Sequence, residues 1–239
     1  MTIPFQKGRY MARFATGPAD VAACQRLRHR CFYGTAGTDA DHFDVKCRHL
    51  MVHEDGGALV ATARLTILAP GGSVMDGYAG QFYDLAPLAK RGGTPAEIGR
   101  FCVAPGVANA DVLRLGWGAL TRLVDDLGLT TLFGCTSFPG VDPARHSASF
   151  AALRDRYQGP ADLRPGIKAA EVVRFADLPA APADLRAAPP LLRTYLGMGG
   201  WVSDHAVIDH AMNTLHVFTC LDIASVPPAR ARALRAIAN

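Results

Sequence analysis

In the stretch TPAEIGRFCVAP, residues 94–105, Glu97 and Arg100 stand among Ile98, Phe101, Cys102 and Val103, an apolar run that reads as a buried strand. An ionised carboxylate or guanidinium taken out of water is costly unless it is paired. Other charged residues interrupt apolar or helical patterns in the same way: Arg64 in ALVATARLTIL and Arg28 in a helical segment. Asp41 and Asp44 lie in the polar run DADHFD just before a hairpin. Titratable groups that converge on one cleft shift one another's pKa, which is how acid/base sites are built. The competing reading is a set of structural ion pairs closing a sheet. Glu97 and Arg100 are three residues apart, so a regular strand sends them to opposite faces unless a bulge intervenes.

Several elements have to position these groups. GRYMARFA alternates as a strand. PADVAACQRLRHRCFY follows with helical spacing at Val21, Cys24, Leu27 and Cys31, and with Asp20 in the first turn. GTAGTDADHFDVKCRH is a long polar loop. Two apolar runs around Glu-Asp-Gly-Gly predict a hairpin over HLMVHEDGGALVATARLTIL. An irregular stretch over 69–95, with a short helix at QFYDLAPLA, leads into the charged strand. ADVLRLGWGALTRLVDDLG is helical, with Leu113, Trp117, Leu120, Leu123 and Val124 on one face. The strand TTLFGCTSF, a helix over 143–156, a proline-rich excursion over 159–189, a short helix at PLLRTYLGMG and two closing strands complete the chain. This order predicts an α/β (α+β) fold, a mixed, mostly antiparallel central sheet flanked by helices, in a single domain over 1–239.

Composition narrows the function. The chain has 239 residues, is 49% hydrophobic and 19% charged, and carries a net charge of +4, which describes a globular protein and gives no argument for nucleic acid. No apolar run approaches the roughly 20 residues of a spanning helix, and no secretory signal opens the sequence, so a cytoplasmic protein is expected. Six scattered cysteines without a C-x-x-C pair fit reduced core thiols, and no metal site is expected. His205 and His210 read as satisfied or surface histidines. Basic clusters at Arg26, Arg28, Arg30, Lys46 and Arg48, and in the tail PPARARALRAIAN, suit an acidic protein partner or peripheral contact with an anionic membrane at its inner face, if not simply a solvated surface.

The spacings also resemble a known family. Arg28 and Phe32 in LRHRCF, Asp41 and Asp44 in DADHFD, Arg64, and EIGRF resemble, in this order, the motifs of the acyl-homoserine lactone synthases, which carry a GNAT-like fold. DHFDVKCRHLMV, EIGRFCVAP, LFGCTSFPGVDP and PPLLRTYLGMGGWVSDHAVIDHAMNTLHVF are similar to the bacterial ornithine lipid acyltransferases, over residues 8–220. That resemblance implies a GNAT-like acyltransferase of membrane lipid biosynthesis. It would move a 3-hydroxyacyl chain from acyl carrier protein to the α-amino group of L-ornithine, giving lyso-ornithine lipid. The alternatives are acylation of another amine, with a lactone synthase as the limiting case, and a non-catalytic module that binds carrier protein or lipid.

The residues after Val103 support a carrier-protein donor. Acetyl-CoA transferases of this fold follow the central strand with a Q/R-x-x-G-x-G/A loop whose amides hold the CoA pyrophosphate. Here that place reads APGVANADVL. Acyl-phosphopantetheine on acyl carrier protein lacks the pyrophosphate cradled by that loop, and no tightly bound cofactor is expected. Glu97 is the expected base for the amine, directly or through a water. Backbone N–H groups around Cys102 and Val103 are the expected oxyanion donors. Arg64, Arg100 and Asp44 would orient the amino acid. Arg28 and Asp41 would join them, or pair with each other to hold the loop. Phe101, Phe133, Phe138 and Met212 are candidate acyl linings, or plain core.

Overall fold

Gly8, at φ 57°, turns the first two strands into a hairpin, β1 (Phe5–Lys7) and β2 (Tyr10–Phe14). In the computed structural model, which describes residues 5–68, 73–107 and 110–238, helix α1 (Pro18–Tyr33) comes next. It opens with proline in its first turn and stops at left-handed Gly34, whose N–H returns to the Arg30 carbonyl. Strands β3 (Arg48–Glu54) and β4 (Leu59–Ile67) form the expected hairpin. Then come β5 (Tyr83–Asp84), α2 (Ala86–Ala89), β6 (Pro95–Val103), α3 (Ala110–Leu127), β7 (Thr131–Pro139) and α4 (Ser147–Arg156). The chain continues through β8 (Gly166–Ile167), β9 (Val172–Arg174), α5 (Pro190–Gly197), β10 (Trp201–Asp209), β11 (Thr214–Asp222) and α6 (Pro228–Ala238).

The chain packs as two compact units, each built from separated segments, and β6 contributes to both. The first unit takes Met1–Ile67, Ile98–Leu129 and Pro228–Asn239. Its strands run β1-β2-β3-β4-β6, and the pairs β1–β2, β2–β3 and β3–β4 are antiparallel. Helix α1 packs on β4, and α3 packs on β2 and β3. Of the face expected on α3, Trp117, Leu120, Leu123 and Val124 are buried, whereas Leu113 is only half-buried and the core side is completed by Val112 and Leu115.

The second unit takes Leu68–Glu97 and Thr130–Pro227. Its strand order is β6-β7-β11-β10-β9, with β6 parallel to β7 and the other pairs antiparallel. Strand alternation splits its core. Phe138, Leu215 and Val217 pack with Phe150, Phe175 and Leu192, while Phe133, Phe218 and Cys220 pack with Tyr83 and Leu85. The proline-rich segment departs from the extended excursion expected of it. It supplies β9, which pairs with β10, and it buries Phe175 completely. Pro160, Pro165, Pro179, Pro182 and Pro189 all lie outside its strands, where no ladder hydrogen bond is needed.

The basic tail is also more than a charged patch. Pro228 opens helix α6, which packs on α3. Arg235 donates Nε and Nη2 to the two carboxylate oxygens of Asp125, both at 2.8 Å. Gly118 leaves room for Ile237, since a Cβ there would come within 2.7 Å of Ile237 Cγ2. Gly118→Val is therefore expected to lower unfolding stability by about 1–3 kcal/mol through overpacking. An unchanged urea midpoint would show that α6 does not depend on this seat.

Candidate active site

The ion pairs expected around the polar loop are present, with one partner that sequence reasoning missed. Arg28, 0% exposed, projects inward from α1. Its Nε donates to Asp39 Oδ2 at 2.8 Å, Nη1 to Asp44 Oδ1 at 2.7 Å and Nη2 to Asp44 Oδ2 at 2.9 Å. Nη2 also donates to the Asp39 carbonyl. One turn earlier on α1, Gln25 Nε2 donates to Asp44 Oδ2 at 2.9 Å. Arg64 on β4 donates Nη1 to Asp41 Oδ1 at 2.6 Å and to Asp44 Oδ1 at 3.1 Å. Arg100 lies 3.2 Å from Asp39 and 3.7 Å from Asp41. Its guanidinium rests over the Phe32 ring at 5.8 Å, and that of Arg64 over Phe43 at 5.6 Å.

Three guanidiniums thus meet three carboxylates, and their formal charges cancel. Burial alone would raise the Asp44 pKa. The bonds from Arg28 and Gln25 and the Arg28 charge outweigh it and hold that carboxyl well below the usual range. Arg28 pairs with Asp39 and Asp44, whereas Asp41 pairs with Arg64 and Arg100. Asp39 carried a signal, because it stands two residues before Asp41 in the same acidic run. Water reaches this cluster at one edge: the Arg100 and Asp41 side chains are 15% and 22% exposed, against 0–7% for the other four.

Arg100 itself has a φ of 53°. A left-handed residue inside β6 breaks the strict alternation of the strand, the interruption the spacing of Glu97 and Arg100 left open. For a residue with a Cβ this conformation costs roughly 1–2 kcal/mol. The Asp39 pair and the Phe32 contact offset it.

Glu97 is 4% exposed. Its Oε2 accepts the Tyr78 N–H at 2.7 Å and its Oε1 the Ala79 N–H at 2.6 Å. The carboxylate is therefore fixed at both oxygens. Gly77 makes this approach feasible: a Cβ there would stand 2.4 Å from Glu97 Oε2. Glu97 is in register with Phe133 on β7, so the two share a sheet face.

The residues expected near the acyl donor fall in different surroundings. The Cys102 thiol is held well above its ordinary pKa by its hydrogen bond to Cys31 and by burial, which removes it as a nucleophile. The Val103 carbonyl accepts from Cys31 Sγ at 3.4 Å. Phe101 stacks with Trp117, at 6.5 Å between centroids, while Phe133 is fully buried against Phe218. Phe138 is core, edge-on to Phe150; Met212 is half-buried in the turn between β10 and β11. The loop after Val103 includes Ala108 and Asn109, which lie outside the described residues.

His205 departs from its expected status. It is fully buried with Nδ1 at 2.7 Å from Asp204 Oδ1, while its Nε2 has no hydrogen-bond partner among the described residues. Exposed His210 lies 3.3 Å from Glu171. Sequence reasoning passed over His216, which is 2% exposed beside Tyr83. The Tyr83 hydroxyl donates to the His216 carbonyl at 2.8 Å, so His216 Nδ1, 3.1 Å from the same oxygen, must be the donor in that contact. Burial lowers the pKa of the ring to about 4, so near neutral pH it is the neutral tautomer with its proton on Nδ1. Among the described residues no cluster of His, Cys, Asp and Glu is placed to hold a metal ion, and no helix is long and apolar enough to cross a membrane.

Residues 26–118 match the acetyltransferase (GNAT) domain family. In structure the chain is similar to TofI in its apo form, with a TM-score of 0.53, 17% identity and coverage of 96% of this chain and 99% of TofI, a likeness of fold. In sequence it is 33% identical to the L-ornithine N(alpha)-acyltransferase of Rhodobacter capsulatus, over 89% of this chain and 90% of that one. It is 30% identical to the enzyme of the same name from Rhizobium meliloti, over 90% and 80%. The mixed, mostly antiparallel sheet flanked by helices is a GNAT-like acyltransferase fold, and the protein is an acyltransferase. Within that class the chain belongs to the L-ornithine Nα-acyltransferase family.

Two outcomes are expected from the buried charges. Arg28→Met removes the best-buried cation facing Asp39 and Asp44, leaving Arg64, Gln25 and Arg100 to meet them, and should cost about 3–5 kcal/mol of stability, read from denaturant unfolding. A loss below 1 kcal/mol would mean that the cluster carries no folding energy. His216 binds a proton near 6.5 when unfolded and near 4 when folded. As pH falls, the unfolded chain is protonated first, so stability is complete above about 6.5 and declines toward pH 4, by about 3 kcal/mol from this group. His216→Phe should flatten that part of the stability–pH curve; an unchanged slope would refute the assignment.

Proposed function

We propose that the protein transfers a 3-hydroxyacyl group from the phosphopantetheine thioester of acyl carrier protein to the α-amino group of L-ornithine, forming lyso-ornithine lipid. The observation that carries the chemistry is the buried Glu97 carboxylate, oriented by two backbone donors on the strand that also bears Arg100. The L-ornithine N(alpha)-acyltransferase relatives support the acceptor. The departure of APGVANADVL from the pyrophosphate-binding pattern supports the donor.

Ornithine arrives with both amines protonated. Glu97, directly or through a water, takes a proton from the α-ammonium. The free amine attacks the thioester carbonyl, and N–H groups near Cys102 and Val103 meet the charge that develops on its oxygen. Collapse of the tetrahedral adduct breaks the C–S bond. The thiolate leaves and takes up a proton, and the amide nitrogen loses its second one.

Arg100 and Asp41, the two solvent-reached members of the ion cluster, are suited to the α-carboxylate and the side-chain ammonium of ornithine. Their mutual separation of 3.7 Å is the longest Arg–Asp pair in the cluster, so exchanging it for substrate contacts sacrifices least. Arg28, Asp44, Asp39 and Arg64 hold that edge in place.

Incubation of the protein with 3-hydroxyacyl carrier protein and a panel of amino acids should give N-acylornithine by mass. Turnover with acetyl-CoA and none with acyl carrier protein would overturn the donor. Glu97→Ala should lower turnover about 10²–10⁴-fold with the fold retained by circular dichroism. Full turnover would remove Glu97 as base. Because Glu97 also ties Tyr78 and Ala79, Glu97→Gln is the companion variant: loss of the acid limb of the kcat/KM pH profile marks a base, and an unchanged profile marks a purely structural tie.

A further inference from the structure

Helix α1 presents two different sets of arginines. Arg28 faces inward and is neutralised by Asp39 and Asp44. Arg26 and Arg30 face outward, both exposed, and neither forms an ion pair among the described residues. They are four residues apart, so their side chains leave the helix one turn apart, with Cβ atoms roughly 5–6 Å from each other. Like charges at this spacing destabilise a helix by a few tenths of a kcal/mol. The helix dipole favours Arg30 in the last turn, but it does nothing for Arg26 in mid-helix. Asp20, the one acid of α1, is engaged by Arg13 through two bonds of 2.6 and 2.8 Å.

The two arginines also line a surface groove of about 460 Å³. Its apolar lining comes from Ala23 and Leu27 of α1 and from Ala58 and Leu59 at the start of β4. A pair of unneutralised guanidiniums one turn apart, over a small apolar floor, is complementary to one kind of partner surface. That surface is an acidic helix with two carboxylates one turn apart and an apolar side chain between them.

We propose that the Arg26–Arg30 groove is the docking surface for an acidic helix of the acyl carrier protein. The inference rests on the donor reading given above and adds the place at which that donor is recognised. Guanidiniums on a rim act mainly on encounter rate and on salt dependence, while the apolar floor fixes the register.

The test uses the full chain and the double variant Arg26→Glu/Arg30→Glu, which touches none of the residues assigned to chemistry. Binding of holo-acyl carrier protein is measured by calorimetry at low and moderate salt, and turnover is measured with acyl carrier protein and with acyl-pantetheine as a carrier-free donor. The expected result is at least a tenfold rise in Kd for the carrier protein and in KM for its acyl form, with the acyl-pantetheine rate unchanged. The wild-type chain should lose affinity with added salt, and the variant should not. Wild-type binding that the variant retains would overturn the groove as docking surface while leaving the donor reading intact. Equal loss with both donors would also overturn it, as damage to the catalytic unit. Failure of the wild-type chain to bind or use acyl carrier protein would overturn both readings. Loss of binding to vesicles containing phosphatidylglycerol, with carrier-protein binding unchanged, would assign the groove to a lipid surface instead.

Discussion

A guanidinium that water cannot reach has to be neutralised where it stands, and in this protein that requirement falls on Arg28. Its donors are met by Asp39 and Asp44, residues of a loop with no regular structure to hold it apart from one short helical turn at Asp44–Lys46. The buried charge therefore does for the loop what a strand ladder does elsewhere: it fixes where the backbone runs. Once Asp39 and Asp44 are fixed, Asp41 between them is fixed too, and it can face Arg64 and Arg100. The order of dependence runs from the least accessible pair outward to the most accessible one.

This arrangement separates two duties that residue type alone does not distinguish. Arg28 and Arg100 are both arginines opposite aspartates, yet one has every donor group committed and no exposure, and the other keeps a longer pair at a wet edge. A saturated pair resists any ligand, because replacing either partner strands a buried charge. A loose, partly hydrated pair resists much less. Accessibility, more than charge, decides which members of such a cluster are available to a substrate.

Much of this was legible from the amino acids. The helical period of α1 and α3, the Glu-Asp-Gly-Gly hairpin and the paired closing strands are local patterns, and local patterns survive translation into structure. The charged residues of the site were legible because they violated those patterns. Asp39 does not share the spacing of Asp41 and Asp44; matching the three arginines of the cluster with three acids finds it. Strand β9 and the burial of Phe175 were hidden by prolines whose anchors are distant in sequence. The tail's arginines dominate its sequence, although alanine, leucine and arginine after a proline also favour a helix. His216 was invisible for another reason: its environment is made by Tyr83, more than a hundred residues away.

Gly77 and Glu97 are tied by a distance of 2.4 Å that exists only on paper, the gap a missing methyl group leaves to Oε2. Positions 77 and 97 are consequently not free to drift independently as sequences diverge. A lineage that gains a side chain at 77 has to withdraw the acid at 97 by a carbon, or open the turn that carries Tyr78 and Ala79. In a family alignment deep enough to resolve pairs, glycine with glutamate and alanine with aspartate should travel together at these two positions. They form a covarying pair whose cause is the volume of a single methyl group.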